Sequence, residues 1–432
     1  MENWQKIYHE RLMTADEAVN HIHSGDRVIN SHLAGAPLPI VEAMCRNYEA
    51  YNHVEITCML TSDGQPYADE KYKGHFWMNP WFVGKTSAKA LTGNYGDFTP
   101  CHFSEIPDLL RTSMKPDVAL IMCSRPDENG YVSLGISTDY AIVAARLART
   151  VIAEVNKQCP RMYGDTRLHV SQLECIVETD REIPGAAPTS ITPVEVAIGG
   201  YCAELIKDGD CLQMGIGAIP DAMLGFLESK KALGIHSEII GDGAKHLHEI
   251  GVITGEHKEI ESGKVVCTSL HGSRKLWDYV NDNPEFELYP VDYTNDPRVI
   301  AQISNMVSIN SCVEVDFSGQ VNAEAIGKRQ ISGIGGQVDF IRGAKMSKGG
   351  RSIIACYSTA KNGTISKIVP FLETGTPVTT SRTDVDYIVT EYGIAHMRGA
   401  SIRQRARALI EVAHPNFRDE LKFEYRKIFG EY

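Results

Sequence analysis

The sequence predicts an α/β protein made of two similar open α/β domains. Three observations lead there. Short, nearly continuous apolar runs such as DVALIMCS (117–124), ARTVIAEV (148–155) and RSIIACYS (351–358) read as strands buried on both faces. Gly-rich loops and helical stretches alternate with them, the pattern of helices packed on a mostly parallel sheet. The chain also repeats itself.

The repeat begins at TADEAVNHIHSGDRVINSHLAGAPLPIVEAM, from Thr14, and returns at TPVEVAIGGYCAELIKDGDCLQMGIGAIPDAML, from Thr192. Each copy opens on T-x-x-E, a capping box that starts a helix. Each helix is expected to end at Gly-Asp (Gly25-Asp26 and Gly209-Asp210), because glycine takes the left-handed C-cap conformation. A strand, a small-residue loop, a proline and a second helix follow in both. A second pair supports the first: PDVALIMCSRPDENGYVSLG turns at Gly130 and SCVEVDFSGQVNAEAIG at Gly319, nearly the same distance beyond Gly25 and Gly209. Helix–Gly-Asp–strand is a common α/β phrase, but two echoes at matched spacing predict a duplication. The Pro- and Gly-rich stretch IPGAAPTSITP (183–193) reads as the linker. It divides an N-terminal domain, 1–190, from a C-terminal domain, 191–432, with the active site expected between them.

The 432 residues suffice for two such domains. With 43% hydrophobic and 23% charged residues the chain is globular rather than disordered. Mean hydropathy is −0.20, and no apolar run approaches the roughly 20 residues of a membrane helix. The opening, MENWQKIYHERLMTADE, is polar and mixed in charge, unlike a signal peptide, so a cytoplasmic protein away from membranes is expected. The net charge of −12 argues against nucleic acid as a partner. It leaves room for an anionic small molecule, which needs only local positive charge. The eleven cysteines include no CxxC and cannot all pair, so they are expected to be reduced, buried and hydrophobic in role.

Four segments are candidates for chemistry. In GIGAIPDAML (215–224), a strand ending in small residues feeds a helix, which brings backbone N–H groups near a bound oxygen or phosphate; the same pattern also makes a plain tight turn. It lacks the GxGxxG of dinucleotide folds and the GK[ST] of a P-loop. In GIHSEIIGDGAKHLHEIGVI (234–253), Glu238 is either a nucleophile or base, or a solvated edge carboxylate. His236 and Glu238 form an H-x-E, but the P-C-x-x-C of zinc deaminases is absent. His246 and His248 fall on different helix faces, so no metal site is expected. In ISGIGGQVDFIRGA (331–344), three glycines in four positions permit close backbone approach to a ligand, or form a β-bulge. The arginines of EYGIAHMRGASIRQRARALI (391–410) make a solvated face or meet phosphates. His32, in SHLAGAP (31–37), is either a core or capping histidine or a partner for a substrate hydroxyl.

Taken in order, GIGAIP, SE-x-x-x-DG, SGIGGQVDF, STAK and TEYGIA-x-x-RG resemble the family I CoA-transferases over nearly the whole chain. GIHSE, KIVPF, VTTSR and RARALI are most similar to the branch of the family that acts on 4-hydroxybutyrate. The resemblance implies a ping-pong transfer of CoA between an acyl-CoA and a short-chain carboxylate. Glu238 would be the nucleophile. The backbone N–H groups of Ile219 and Gly336 would be the oxyanion donors. Gly215, Ile216, Gly217, Ala218, Ile219, Asn295, Ser332, Gly335, Gly336 and Lys361 would line the CoA site. Coenzyme A would be a substrate, with no permanently bound cofactor and no metal, and the chain would form a homodimer or larger homo-oligomer. Gly241 departs from the Ser of close relatives, which bears on acyl preference. An acyl-CoA hydrolase of the same family, a butyryl-CoA:acetate transferase and a non-catalytic CoA-binding protein are the competing readings. A nicotinamide oxidoreductase would rest on fold class alone.

Overall fold

The computed structural model describes residues 3–62, 64–186 and 189–432. Positions 187 and 188 of the expected linker lie outside the described residues. The chain forms two compact units. The first runs to Ala186 and also takes in Glu238–Asp242 and Val265–Thr294. The second holds the stretch up to Ser237, then Gly243–Lys264 and Asn295–Tyr432.

The first unit has a six-stranded sheet in the order Phe76–Met78, Val54–Thr57, Arg27–Asn30, Val118–Cys123, Thr150–Asn156, Cys175–Thr179. All five pairings are parallel. Successive residues of these strands point to opposite faces, and both faces are covered. Val118 and Leu120 pack with Ile40, Met44 and Tyr51, while Ala119, Ile121 and Cys123 pack with Phe103, Leu110 and Tyr140. That is why the sequence shows unbroken apolar runs here instead of alternation.

In the second unit the strands Gly234–His236, Cys211–Met214, Met306–Asn310, Arg351–Ala355 and Tyr387–Thr390 are parallel neighbours in that order, and Gly393–His396 closes the edge antiparallel to Tyr387–Thr390. Numbered by position in the chain, five strands of each sheet therefore follow one order, 2-1-3-4-5. In open parallel sheets ligands bind beyond the carboxyl ends of the strands where this order reverses, beside strand 1. In the second unit that place is Gly215 and the loop after it.

The duplication reaches single hydrogen bonds. Both capping boxes form, Thr14 with Glu17 and Thr192 with Glu195. Asp127 caps the turn at Gly130 by accepting from Asn129 N and Tyr131 N, both at 2.9 Å. Asp316 does the same at Gly319, accepting from Ser318 N at 2.9 Å and Gln320 N at 3.0 Å. Gly25 and Gly209 have φ of +84° and +79°, the left-handed region expected of them. They are not helix caps, however. The Pro193–Glu204 helix ends on Leu205 in right-handed conformation, and Gly209 shapes the turn into the next strand.

Two segments beyond residue 190, Glu238–Asp242 and Val265–Thr294, belong to the first compact unit. Ile239–Ile240 pairs in parallel with Ser269–Leu270, and Leu270 N donates to Ile136 O at 2.8 Å. Phe286–Leu288 pairs in parallel with Tyr163–Gly164. These backbone ladders fasten 238–242 and 265–294 to the first unit. Among the described residues no helix is long and apolar enough to cross a membrane.

Candidate active site

In the second unit, strand Cys211–Met214 runs into Gly215 and the helix Ala218–Leu227. Gly217 precedes that helix with φ +113° and ψ −172°, a conformation reserved for glycine. Ile216 is 43% exposed and Gly215 is exposed, so the loop is open to a ligand. Ile219 is the second residue of the helix, where an amide has no acceptor within its own helix. Its N–H points with the positive end of the helix dipole, which suits a developing oxyanion.

The SGIGGQVDF segment is also a helix entry and not a β-bulge. Gly335 has φ +58°, and Gly336 is the N-cap of the helix Gln337–Met346. Gly336 O accepts from Phe340 N at 3.1 Å. Gly336 φ is −92°, so glycine is not required there by backbone strain. Both expected oxyanion donors thus sit at the start of helices of ten residues.

The remaining expected CoA contacts lie in three other segments. Ser332 is half-buried, and its N–H donates to Glu324 O at 3.1 Å. Lys361 is exposed, with φ +46°, in the turn that joins Thr359–Ala360 to Ile365–Ser366. Asn295 is fully buried, close behind the helix Val291–Thr294. Among the arginines after Met397, Arg405 is structural: it donates to Ser318 O at 3.0 Å and Arg382 O at 2.6 Å. Arg407 lies over the Tyr425 ring at 5.4 Å. His246 bonds Glu228 at 2.9 Å.

Glu238 opens the part of the first unit that follows Ser237. It is half-buried, in a bend just before the short strand Ile239–Ile240. Its backbone carbonyl accepts from Thr268 N at 3.0 Å and Ser269 N at 3.1 Å. Downstream, Asp242 receives Ser273 N and Ser273 Oγ, both at 2.9 Å. Gly241 lies against the chain: a Cβ there would come within 3.0 Å of His271 O, while His271 N donates to Ile240 O at 2.9 Å. The missing side chain lets residues 238–242 lie flat against 268–273. The backbone that follows the candidate nucleophile is therefore held from its own carbonyl onward.

His32 is 3% exposed, which favours the core reading over a substrate-facing one. Its Nδ1 donates to Asp139 Oδ2 at 3.1 Å. The same oxygen accepts from Ser137 Oγ and, at 2.9 Å, from Ser269 Oγ. Asp139 Oδ1 accepts from Tyr140 N at 2.7 Å and Ala141 N at 3.1 Å. Burial, the strongest influence, pushes this carboxyl up, but His32, Ser137 and Ser269 outweigh it and hold it below the usual aspartate value. Asp139, Ser137 and Ser269 escape a motif-based reading, because the short polar runs Ser137-Thr138-Asp139 and Thr268-Ser269 match no catalytic motif.

A glycine loop that opens a helix at the reversal of a parallel sheet, a second glycine loop at another helix start, and a carboxylate on a hydrogen-bonded backbone fit an α/β enzyme of acyl or phosphoryl chemistry better than a redox enzyme with a nucleotide fingerprint. Comparison with known proteins makes the class specific. Residues 1–187 match the acetyl-CoA hydrolase/transferase N-terminal domain, and residues 272–425 the acetyl-CoA hydrolase/transferase C-terminal domain. The 4-hydroxybutyrate coenzyme A transferase of Clostridium kluyveri is 51% identical over 99% of this chain and 100% of its own. The butyryl-CoA:acetate CoA-transferase of Anaerostipes caccae is 36% identical over 97% of this chain and 96% of its own. The crystal structure of a 4-hydroxybutyrate CoA-transferase from Porphyromonas gingivalis superposes with a TM-score of 0.86 at 44% identity, covering 99% of this chain and 100% of that one. The chain belongs to the acetyl-CoA hydrolase/transferase family and is an enzyme of its CoA-transferase class.

Proposed function

We propose that the protein moves CoA from acetyl-CoA or butyryl-CoA to 4-hydroxybutyrate by a ping-pong mechanism through a glutamyl-CoA thioester on Glu238. The observation that carries the mechanism is the setting of Glu238: a half-buried carboxylate whose own carbonyl is held by two amides. The choice of acid is supported by the full-length similarity to the Clostridium kluyveri transferase.

The chemistry balances with groups on this chain and the two substrates. The Glu238 carboxylate attacks the acyl-CoA carbonyl, and the tetrahedral oxyanion collapses to a mixed anhydride with loss of CoA thiolate. The thiolate then attacks the glutamyl carbonyl of the anhydride. The acyl group leaves as a free carboxylate, and Glu238 carries CoA as a thioester. The incoming acid repeats both steps in reverse, which returns Glu238 as a carboxylate. The thioester's free energy is conserved throughout, and no metal or redox group enters the balance. Ile219 N–H and Gly336 N–H are the donors assigned to the oxyanion. Removing one such donor costs on the order of 10² to 10³ in rate. Gly215–Ile219, Asn295, Ser332, Gly335 and Lys361 are assigned to CoA, whose distant nucleotide supplies binding energy to the reacting centre. Eleven buried cysteines outside any disulfide support a reducing compartment, the cytoplasm. A homodimer or larger homo-oligomer completes the reading, on the strength of the family resemblance.

A panel of carboxylates against one acetyl-CoA pool tests it, with acyl-CoA products followed by mass and free thiol followed in parallel. The expected result is 4-hydroxybutyryl-CoA as the fastest product with no thiol release. Faster use of butyrate would point to a butyryl-CoA:acetate transferase. Thiol release at the rate of acetyl-CoA loss would point to a hydrolase.

A further inference from the structure

In the first unit the segment 268–271 lies between two others. On one side Thr138 N donates to Thr268 O at 3.1 Å and Leu270 N to Ile136 O at 2.8 Å. On the other, Thr268 N and Ser269 N donate to Glu238 O, and His271 N to Ile240 O. Ser269 belongs to both sides. Its N–H holds the Glu238 carbonyl at 3.1 Å, and its Oγ holds Asp139 Oδ2 at 2.9 Å. Ser137, Thr138, Asp139, Thr268 and Ser269 are all 3% exposed or less. Asp139 in turn carries five hydrogen bonds, from His32, Ser137, Ser269 and the first two amides at the Ala141–Leu147 helix.

We propose that Ser269 and Asp139 are positioning residues for Glu238: Asp139 fixes Ser269, and Ser269 fixes the backbone from which the Glu238 carboxylate departs. This rests on Glu238 being the nucleophile. A side chain that must add to a carbonyl carbon, release a thiolate and accept it back passes through several geometries from one Cα. Its rotamer moves between them, so the fixed reference is the backbone. A buried carboxylate saturated with donors is stiff, because any displacement breaks several charge-assisted bonds at once. Replacing Ser269 by Ala removes one oxygen and its bond to the Asp139 carboxylate, leaving the 268–271 segment held there by its backbone bonds. In Asp139→Asn, an amide NH2 faces the three donors now aimed at Oδ2, while the amide oxygen still caps the helix. Both changes are expected to loosen the backbone at Glu238 while leaving its own hydrogen bonds from Thr268 N and Ser269 N in place.

The test uses the full-length enzyme and reads three quantities: kcat, the KM for acyl-CoA, and the single-turnover rate at which acyl-CoA places CoA on Glu238, followed by peptide mass. Rates are normalised to the final extent of labelling, so that a misfolded fraction does not count. Positional errors near 1 Å cost about 10² in rate. Ser269→Ala and Asp139→Asn are each expected to slow labelling and kcat by about 10- to 100-fold with KM changed less than about threefold. The double variant is expected to be little slower than the worse single one, because the residues act as one unit. Wild-type labelling with unslowed labelling in both variants would overturn the positioning role and leave the mechanism standing. A slowing matched by an equal rise in KM would also overturn it. Absence of label on Glu238 in the wild type would instead bring down the nucleophile assignment itself.

Discussion

Arg351, at the start of its strand, donates through its guanidinium to Asp210, which precedes strand Cys211–Met214. The first unit holds the same pair: Arg149, just before Thr150–Asn156, donates to Asp26 at 2.9 Å. Each aspartate also accepts the backbone N–H three residues back, His23 at 2.8 Å and Lys207 at 2.6 Å. The two pairs differ in burial. Arg351 is 13% exposed and Arg149 50%. Both aspartates are buried, at 8% and 3% exposed, so the contrast lies in the arginines: a buried guanidinium is screened by water far less than a half-exposed one. Arg351→Ala is therefore expected to lower stability by at least twice as much as Arg149→Ala in urea unfolding. Equal losses would refute the claim that burial sets the difference.

The oxyanion assignment makes a prediction that separates activity from folding. Gly336 has an ordinary φ but is buried, so Gly336→Ala is the gentler probe: the fold is expected to survive, by circular dichroism, while activity falls at least about 10²-fold. Gly217 behaves differently. An added Cβ would meet open space, but φ +113° strains any other residue by about 1–3 kcal/mol. Gly217→Ala is expected to weaken CoA binding because the loop relaxes to another conformation. A Gly217→Ala enzyme with unchanged KM for acetyl-CoA would contradict the role given to that loop.

Much of this was legible in the sequence, and for a physical reason. The Thr14 and Thr192 boxes, the Gly-Asp turns and the apolar strands are local: caps, left-handed glycines and doubly buried strands each leave their own residue pattern. Glu238 and the two glycine loops stood out because small residues and a lone carboxylate interrupt strands. What stayed hidden depends on pairing between distant segments. Nothing local says that Ser269 will lie between Ile136–Asp139 and Glu238–Ile240, or that 265–294 will join the first unit. Nothing local distinguishes Asp139 from any polar residue ahead of a helix, and the sequence leaves two readings of His32, between which its bond to Asp139 decides.

Acid stability should report the second capping box. Burial pushes the Glu195 carboxyl up, but hydrogen bonds from Thr192 and Tyr357 outweigh it and bring it down to about 2. A group depressed in the folded state stabilises fully above its unfolded value and less as pH falls through the folded one. The contribution is therefore complete above about pH 4.5 and fades toward pH 2. Tyr357 Oη donates to Glu195 at 2.6 Å, so Tyr357→Phe is expected to cost about 1.5–3 kcal/mol near neutrality. The gap between variant and wild type should narrow in urea titrations below pH 4.5. A gap independent of pH would argue against the ionised carboxylate as the acceptor.

All eleven cysteines are buried and none is in a disulfide. A thiol reagent such as Ellman's is expected to react slowly with the native protein and to count eleven thiols in denaturant. Rapid reaction of several thiols in the native protein, or fewer than eleven after unfolding, would contradict the placement.

The central claim is that Glu238 takes CoA onto its own carboxylate, and one labelling measurement tests it most directly. The enzyme is incubated with acetyl-CoA and no acceptor, treated with borohydride, and digested. The account predicts CoA mass on the peptide containing Glu238 before reduction and a single alcohol at that residue after it, since borohydride reduces a thioester and leaves a free carboxylate intact. Glu238→Ala should carry no label and transfer nothing. Glu238→Asp, one methylene short, should be slowed by about 10². A label on another carboxylate, or full transfer by Glu238→Ala, would contradict the account.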